Sequence, residues 1–486
     1  MALEFLGSRL LAPVFGSSLF VWGALIGVIL AAMSTGYATG GWLADRRPPG
    51  TVLTFFLLGS GAWTLLLAGV GQPVVFTVSG WVDNPRWGPC LAAGALLAVP
   101  AFGLSGVFPA LLRLAIADMG HLGRYSGGMI AVSTIGSLVG TWGTSFYLLS
   151  WLGSLTLIAI LGVLLVVLGL CWWWWAVRVS ARFLVPVLGG LGVLGWLAFH
   201  PVLVQPPAVF QEDSPYQQVR VRENDLFRFL ILDNTFHAVM WRADPVQLAL
   251  PYSHMMMAAL GLHPDPQRGL ILGQGGGSIA KWLGHYWPLL ELDIVEMDPS
   301  VIKAAEQFFD YTPREQHHVY AQDARTFLRV TDRKYDIIWV DVFARHLIPF
   351  HLTTREFYAE LRAHLNPDGV VVVNLASSDS ELDRIRDEAV VGTIKTSFPI
   401  VETFSVEGPP WLNARPGSAN LIIFAGSREL NMRSPEFESR ARSLVVEEKL
   451  PAEVLTFLTH SDPPEWKSGL ILTDDFSPWE ILQGRG

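Results

Sequence analysis

Residues Leu270–Asp298 read LILGQGGGSIAKWLGHYWPLLELDIVEMD. Leu270, Ile271 and Leu272 make a short apolar strand, and Gly273, Gly275 and Gly277 follow at alternate positions as G-x-G-x-G. Ser278 to Tyr286 has helical character, and a second apolar run, Leu292 to Val295, ends in Glu296 and Asp298. Strand, glycine turn, helix, strand and acid in this order are half of a nucleotide-binding βαβ unit. Glycines let the backbone turn sharply and let a ligand approach with no Cβ in the way. The helix N-terminus turns the positive end of its dipole to the same place. Glu296 lies nineteen residues beyond Gly277, where a carboxylate can accept both hydroxyls of a ribose. A bare glycine triplet also occurs in structural turns; the flanking strands and the acid at this distance point to a nucleoside site instead.

The neighbouring sequence extends the pattern. Tyr216 to Glu223 and Phe227 to Asp233 alternate around Asn224-Asp225, a β-hairpin signal. Pro251 to Leu262 is helical and Met-rich. Downstream of Glu296 come a helix (Pro299 to Phe309), a strand near His318 to Ala321 with Asp323 just beyond it, and a buried strand, Tyr335 to Val340, ending in Asp341. A helix over Glu356 to Leu365 and a strand over Gly369 to Asn374 follow. Alternating strands and helices predict a largely parallel, doubly wound sheet, whose ligands bind at the carboxyl ends of its strands. Gly273 to Gly277, Glu296, Asp323 and Asp341 all fall at that edge. Asp323 would equally serve as a helix cap.

The 486 residues call for at least two domains, and their composition is uneven. Half of them (51%) are hydrophobic, 19 are Trp and only 16% are charged, too apolar for a wholly soluble protein. Residues 1 to 204 hold eight Arg, no Lys and four acids, a net +4. Residues 205 to 486 hold the remaining 26 basic and 39 acidic residues, a net −13, which together give the −9 of the whole chain. The first part reads as a helical membrane domain and the second as an acidic soluble one. The acidic balance argues against a nucleic-acid partner. Cys90 and Cys171 both sit in apolar spans, so neither a disulfide framework nor a cysteine-based metal site is implied.

Given about 20 residues per crossing, six apolar runs are long enough to span, at residues 17–43, 51–70, 88–112, 127–149, 154–177 and 183–204. Met1 to Pro13 resembles the end of a seventh and carries Glu4 and Arg9, which could each pair with another helix. Gly127, Gly128, Ser133, Gly136, Gly140 and Gly143 would allow close helix packing, and Trp172 to Trp175 followed by Arg178 and Arg182 reads as an interfacial aromatic belt. The basic segments at 45–47, 113–124 and 178–182 should face the cytoplasm. A sixth crossing would then export the soluble domain, whereas a cytosolic nucleoside supply requires it inside; the second requirement is preferred. The expected layout is a membrane domain over 1–204, a linker at Pro201 to Pro207, a small β-hairpin domain over 205–250 and an α/β nucleoside-binding domain over 251–486, in the inner or plasma membrane.

The pieces SPYQQVRV, LILGQGGGS, DIVEMDPSVI, YAQDARTFL and YDIIWVDVF, with the closing LTDDFSPWE and the opening LEFLGSRLLAPVFGSS, resemble the spermidine synthase family of polyamine aminopropyltransferases in its membrane-fused bacterial branch. The resemblance covers residues 214 to 376. It implies a small N-terminal β-domain followed by the Rossmann-like fold of S-adenosylmethionine-dependent methyltransferases. It also implies transfer of an aminopropyl group from decarboxylated S-adenosylmethionine to an amine, leaving methylthioadenosine, without a metal. Residue by residue, Gln217 and Tyr252 match positions lining the donor and amine pockets, Glu296 the ribose-binding acid, Asp323 the reader of the adenine amino group, and Asp341 the acid that takes a proton from the attacking amine. Gly273, Gly275 and Gly277 form the donor-binding turn. An amine must be neutral to attack carbon beside a sulfonium, and a carboxylate there can position it and accept its proton.

The departures are equally specific. The family's glycine loop carries an acid where Gly276 stands here, and that acid grips the donor's terminal amine. The second family acid, three residues after Asp341, is Ala344, followed by Arg345. A family glutamate is His254 and a family glutamine is His237; both would also serve as packing histidines. A dicationic acceptor would need Glu212, Asp213, Asp474 or Asp475 in compensation. Two other functions therefore stand beside aminopropyl transfer: an S-adenosylmethionine-dependent methyltransferase (product S-adenosylhomocysteine) acting on a membrane-delivered substrate, and a non-catalytic nucleoside sensor or transport protein. The partners implied are a small amine or lipid-accessible acceptor and the lipid bilayer, with homodimerisation left open.

Overall fold

A computed structural model describes the chain except residues 17–18, 83, 85, 116–121, 178–180, 201–207, 264, 344–347, 379, 410, 412–417, 461–465, 467–468 and 477–486. The Pro201–Pro207 linker, Arg178, Ala344, Arg345 and the end of LTDDFSPWE thus lie outside the described residues. Two compact units emerge: Met1–Pro207 with Pro215–Gln217, and Ala208–Ser214 with Gln218–Gly486.

The first unit is helical: α1 (Ala2–Phe15), α2 (Leu19–Arg46), α3 (Pro49–Trp81), α4 (Trp87–Ala115), α5 (Leu122–Gly143), α6 (Leu149–Leu152), α7 (Ser154–Trp172) and α8 (Ala181–Phe199). Four stretches, Phe20–Arg46, Pro49–Trp81, Trp87–Ala115 and Ser154–Ala176, are long and apolar enough to cross a membrane. They fall on four of the six expected runs; α5 and α8 occupy the other two. The close packing expected of the glycines around 127–143 is found elsewhere. A Cβ at Gly127, Gly128, Gly136 or Gly143 would meet nothing within 4 Å, whereas one at Gly40 would lie 2.7 Å from Gly106 Cα. Small residues thus bring α2 against α4, the pair a glycine stripe serves in an apolar medium.

The second unit opens with an antiparallel sheet of β1 (Phe210–Asp213), β2 (Gln218–Glu223), β3 (Phe227–Leu232) and β4 (Thr235–Trp241) in that order. The expected hairpin is β2–β3, its turn held by Asn224 Oδ1, which accepts the amides of Leu226 (2.9 Å) and Phe227 (2.7 Å). The flanking β1, of four residues, and β4, of seven, extend the sheet beyond the hairpin that the sequence predicts. Val219, Val221, Leu230, Ala238 and Met240 from this sheet pack on Val301, Ala304 and Phe309 of the following domain, so the small sheet is seated on the helix over residues 299–308.

That domain runs α9 (Pro251–Met256), α10 (Ala259–Leu262), β5 (Arg268–Leu272), α11 (Ser278–Tyr286), β6 (Glu291–Glu296), α12 (Pro299–Phe308), β7 (His317–Ala321), α13 (Ala324–Val330), β8 (Tyr335–Val340), α14 (Arg355–Ala363), β9 (Leu365–Ser378), α15 (Glu381–Ser397), β10 (Ile400–Glu407), β11 (Ser418–Gly426), α16 (Pro435–Val446) and α17 (Glu453–His460). The strand order is β10-β11-β9-β8-β5-β6-β7. β9, β8, β5, β6 and β7 are mutually parallel, as the alternating pattern predicts, and β10 and β11 add an antiparallel edge. Strands buried on both faces need apolar side chains throughout; Tyr335–Val340 is buried at every position, and two hydrophobic cores, one on each side, cover the sheet. The order reverses between β5 and β8, so the crevice of a doubly wound sheet opens between their carboxyl ends.

Candidate active site

The loop from β5 to α11 decides the shape of that crevice. Gly273, Gly275 and Gly277 have φ of +91°, +52° and +70°, a region that side chains with a Cβ rarely enter. Gly273 is fixed twice over, because a Cβ there would lie 2.2 Å from the carbonyl oxygen of Asp341. The glycine loop and the end of β8 therefore touch. Glu296, at the tip of β6, reaches under the loop: its Oε2 accepts the amides of Gln274 (3.2 Å) and Gly275 (3.3 Å), and its Oε1 accepts the Asp298 amide at 3.1 Å. A carboxylate offers about four lone-pair sites, so Glu296 both pins the loop and keeps one acceptor position. Burial pushes its carboxyl above the ordinary glutamate range. Asp298, the other acid of the motif, is fully buried and caps α12 through the Ser300 amide at 2.9 Å while accepting Ser214 Oγ at 2.6 Å.

Asp341 stands on the opposite side of the crevice. Its Oδ2 accepts the Tyr252 hydroxyl at 3.2 Å and its Oδ1 the Asn374 amide at 2.8 Å. Asn374 in turn accepts Asn420 Nδ2 at 2.9 Å, so three adjacent strands, β8, β9 and β11, contribute one polar row. Every donor to this carboxylate is neutral, and burial pushes it up to about 6. The Tyr252 phenol is pushed up as well, by burial and by the carboxylate beside it. Asn374 and Asn420 escaped the sequence reading; the available signal was a buried amide at the end of the run VVVVN.

Asp323 is both a cap and a site residue by position. Its Oδ1 accepts the Thr326 amide at 2.9 Å, starting α13, and its Oδ2 pairs with His351 Nε2 at 3.1 Å. His351 is the chief reason its carboxyl is held down near 2. Behind it, buried Arg325 donates to both oxygens of Asp474 (2.7 and 2.8 Å), to Glu360 and to the His351 carbonyl, and Thr354 Oγ1 adds a bond to Asp474 at 2.8 Å. Asp474 is thereby committed to Arg325, and Glu212 to Lys303 and Ser300; neither is a ready anchor for a cationic acceptor. Asp213 accepts Gln218 Nε2 at 2.8 Å, and Asp475 is exposed. His254 bonds the Leu248 carbonyl at 2.8 Å and faces Glu453 at 3.7 Å, the pattern of a packing histidine, and His237 is half-buried on β4. Gln217 lies half-buried just ahead of β2 and groups with the first unit. The structure therefore brings Gly273, Gly275, Gly277, Glu296, Tyr252 and Asp341 to one crevice, with Asp323 one strand beyond at the end of β7. Among the described residues no group of three His, Cys, Asp or Glu side chains is placed to hold a metal.

Residues 250–414 match the model of the spermine/spermidine synthase domain. A polyamine aminopropyltransferase of Vibrio vulnificus is 29% identical over 291 residues, 57% of this chain and 92% of that one. A polyamine aminopropyltransferase of Neisseria meningitidis is 31% identical over 192 residues, 39% of this chain and 71% of that one. The chain belongs to the spermine/spermidine synthase family. This is a transferase family, and the crevice described above lies within the part of the chain that carries the match. Among solved structures, a probable spermidine synthase from Corynebacterium glutamicum is similar with a TM-score of 0.44 and 19% identity over 56% of this chain and 99% of that one.

Proposed function

We propose that this family member transfers the propyl-chain substituent of a sulfonium adenosine to an amine, at the crevice between the glycine loop and Asp341. The donor is decarboxylated S-adenosylmethionine or S-adenosylmethionine itself, which supplies an electrophilic carbon beside a positive sulfur and leaves as methylthioadenosine. The observation that carries the reading is the placement of one buried carboxylate, supplied only with neutral hydrogen bonds, against the loop that closes on its own backbone. Gly273, Gly275 and Gly277 provide the floor for the nucleoside, Glu296 accepts from its ribose, and Asp323 with His351 flanks the adenine. Gln217 is carried over to the donor pocket by resemblance alone. Asp341, titrating near 6, is ionised at neutral pH; it accepts the proton of the attacking amine while Tyr252 and Asn374 hold its two oxygens in place. No covalent enzyme intermediate and no metal enters this scheme.

The four long apolar helices support an integral membrane protein of the inner or plasma membrane. We place the soluble unit on the cytoplasmic side because its donor is cytosolic. The acceptor is a small or lipid-accessible amine; an acidic surface does not suit nucleic acid.

Product analysis tests the reading. Incubation of the full chain in detergent with donor and amines should release methylthioadenosine, and Asp341→Asn should lower turnover by about 10²-fold or more while nucleoside binding persists. S-adenosylhomocysteine as the product would mark methyl transfer instead, and unchanged turnover in Asp341→Asn would remove Asp341 from the chemistry.

A further inference from the structure

The loop Gly273–Gly277 carries a single side chain, that of Gln274. It is only 7% exposed, and among the described residues neither its Oε1 nor its Nε2 has a hydrogen-bond partner. An amide buried with both ends unpaired is strongly unfavourable unless something else completes it. The group that completes both ends at once bears a donor and an acceptor side by side.

Among the described residues no carboxylate is bonded to that amide. Glu296 holds three backbone amides and keeps its remaining acceptor position for the ribose, and Asp341 is held by Tyr252 and Asn374 beside the reacting amine. Nor can the loop gain an acid at its fourth position. A Cβ at Gly276 would lie 2.9 Å from Phe309 Cδ1 and 3.0 Å from Ala238 Cβ, and both residues are buried. A tail bearing only an ammonium would therefore satisfy Oε1 and leave Nε2 unpaired. An α-amino carboxylate neutralises itself, donates to Oε1 and accepts from Nε2.

We propose that Gln274 reads the donor's tail and selects a sulfonium nucleoside that retains its α-amino carboxylate, so that the chain transferred is aminocarboxypropyl. This rests on the nucleoside site argued above. In the step, the amine nitrogen forms a bond to the methylene carbon beside sulfur. The carbon–sulfur bond breaks with its electron pair going to sulfur, and the amine proton passes to Asp341.

Calorimetry on the full chain in detergent micelles tests this with S-adenosylmethionine, its decarboxylated form and methylthioadenosine, which has no tail. The wild type should bind S-adenosylmethionine about tenfold tighter than the decarboxylated form. Gln274→Leu should bring that ratio close to one and leave methylthioadenosine binding unchanged. Gln274→Glu should invert the ratio, which keeps the proposal open to refutation if the leucine variant fails to fold. A wild type that prefers the decarboxylated form, or a ratio that survives both substitutions, overturns the proposal while leaving the nucleoside site standing. Failure of the wild type to bind methylthioadenosine removes the nucleoside site, and this inference with it.

Discussion

Asp341 is held by two neutral donors, and each has a measurable share in its protonation. The Asn374 amide and the Tyr252 hydroxyl both pull its carboxyl down against the upward push of burial. Asn374→Ala should therefore move the acidic limb of the pH–rate profile above its expected position near 6, so that activity falls more at pH 6.5 than at pH 8. Tyr252→Phe should act in the same direction. The linkage has a stability side. The folded protein binds a proton at Asp341 more tightly than the unfolded chain does, so the ionised carboxylate works against folding once the pH rises through about 6. Asp341→Asn should then melt at the same temperature as the wild type or higher at pH 8, even as its turnover falls. Asp323 has the opposite sign. Its carboxyl is depressed to about 2, so its contribution is complete above about pH 4 and is lost as the pH falls through 2. Asp323→Ala should cost about 1 kcal/mol of unfolding free energy through loss of the α13 cap, whereas Asp323→Asn should retain most of it. The acids themselves were legible in the sequence because Asp341 follows an apolar strand directly and Asp323 lies two residues beyond the end of β7. Their partners were not: Asn374, Asn420 and His351 reach them only through strand pairing and a return of the chain, relations that no local spacing encodes.

At the scale of elements, the glycine loop is wedged between the end of α12 and strand β4. Gly276→Asp should destabilise the protein through contact with Phe309 and Ala238, and Phe309→Ala should be less harmful in its presence than alone. A double-mutant cycle by thermal melting measures this coupling, and additive effects would show that the loop has room. The parallel part of the sheet was readable because strands and helices alternate at short intervals. The antiparallel β10 and β11 were not, because they follow the last recognisable βα unit, and β10 (IVETFSVE) mixes polar with apolar positions. The long apolar helices were readable by composition, but their packing was not: α5 is at least as rich in glycine as α2, yet a Cβ at Gly127, Gly128, Gly136 or Gly143 of α5 would meet nothing within 4 Å, whereas one at Gly40 of α2 would meet Gly106.

At the scale of the molecule, each unit has its own buried core. Residues 208–486 expressed alone should therefore give a soluble protein with a single cooperative melting transition, while the full chain should require detergent for extraction. A fragment that melts without cooperativity would show that the helical unit is needed for folding.

The bidentate grip of Arg325 on Asp474, 149 residues apart in sequence, ties the last described part of the chain to α13, the helix that Asp323 caps. The tail thus works as a clasp, fastened from outside onto the wall where the base of the nucleoside would rest. Cutting the protein after residue 470, or crowding that end with a bulky fusion, should loosen the grip on adenine without touching any residue that faces it.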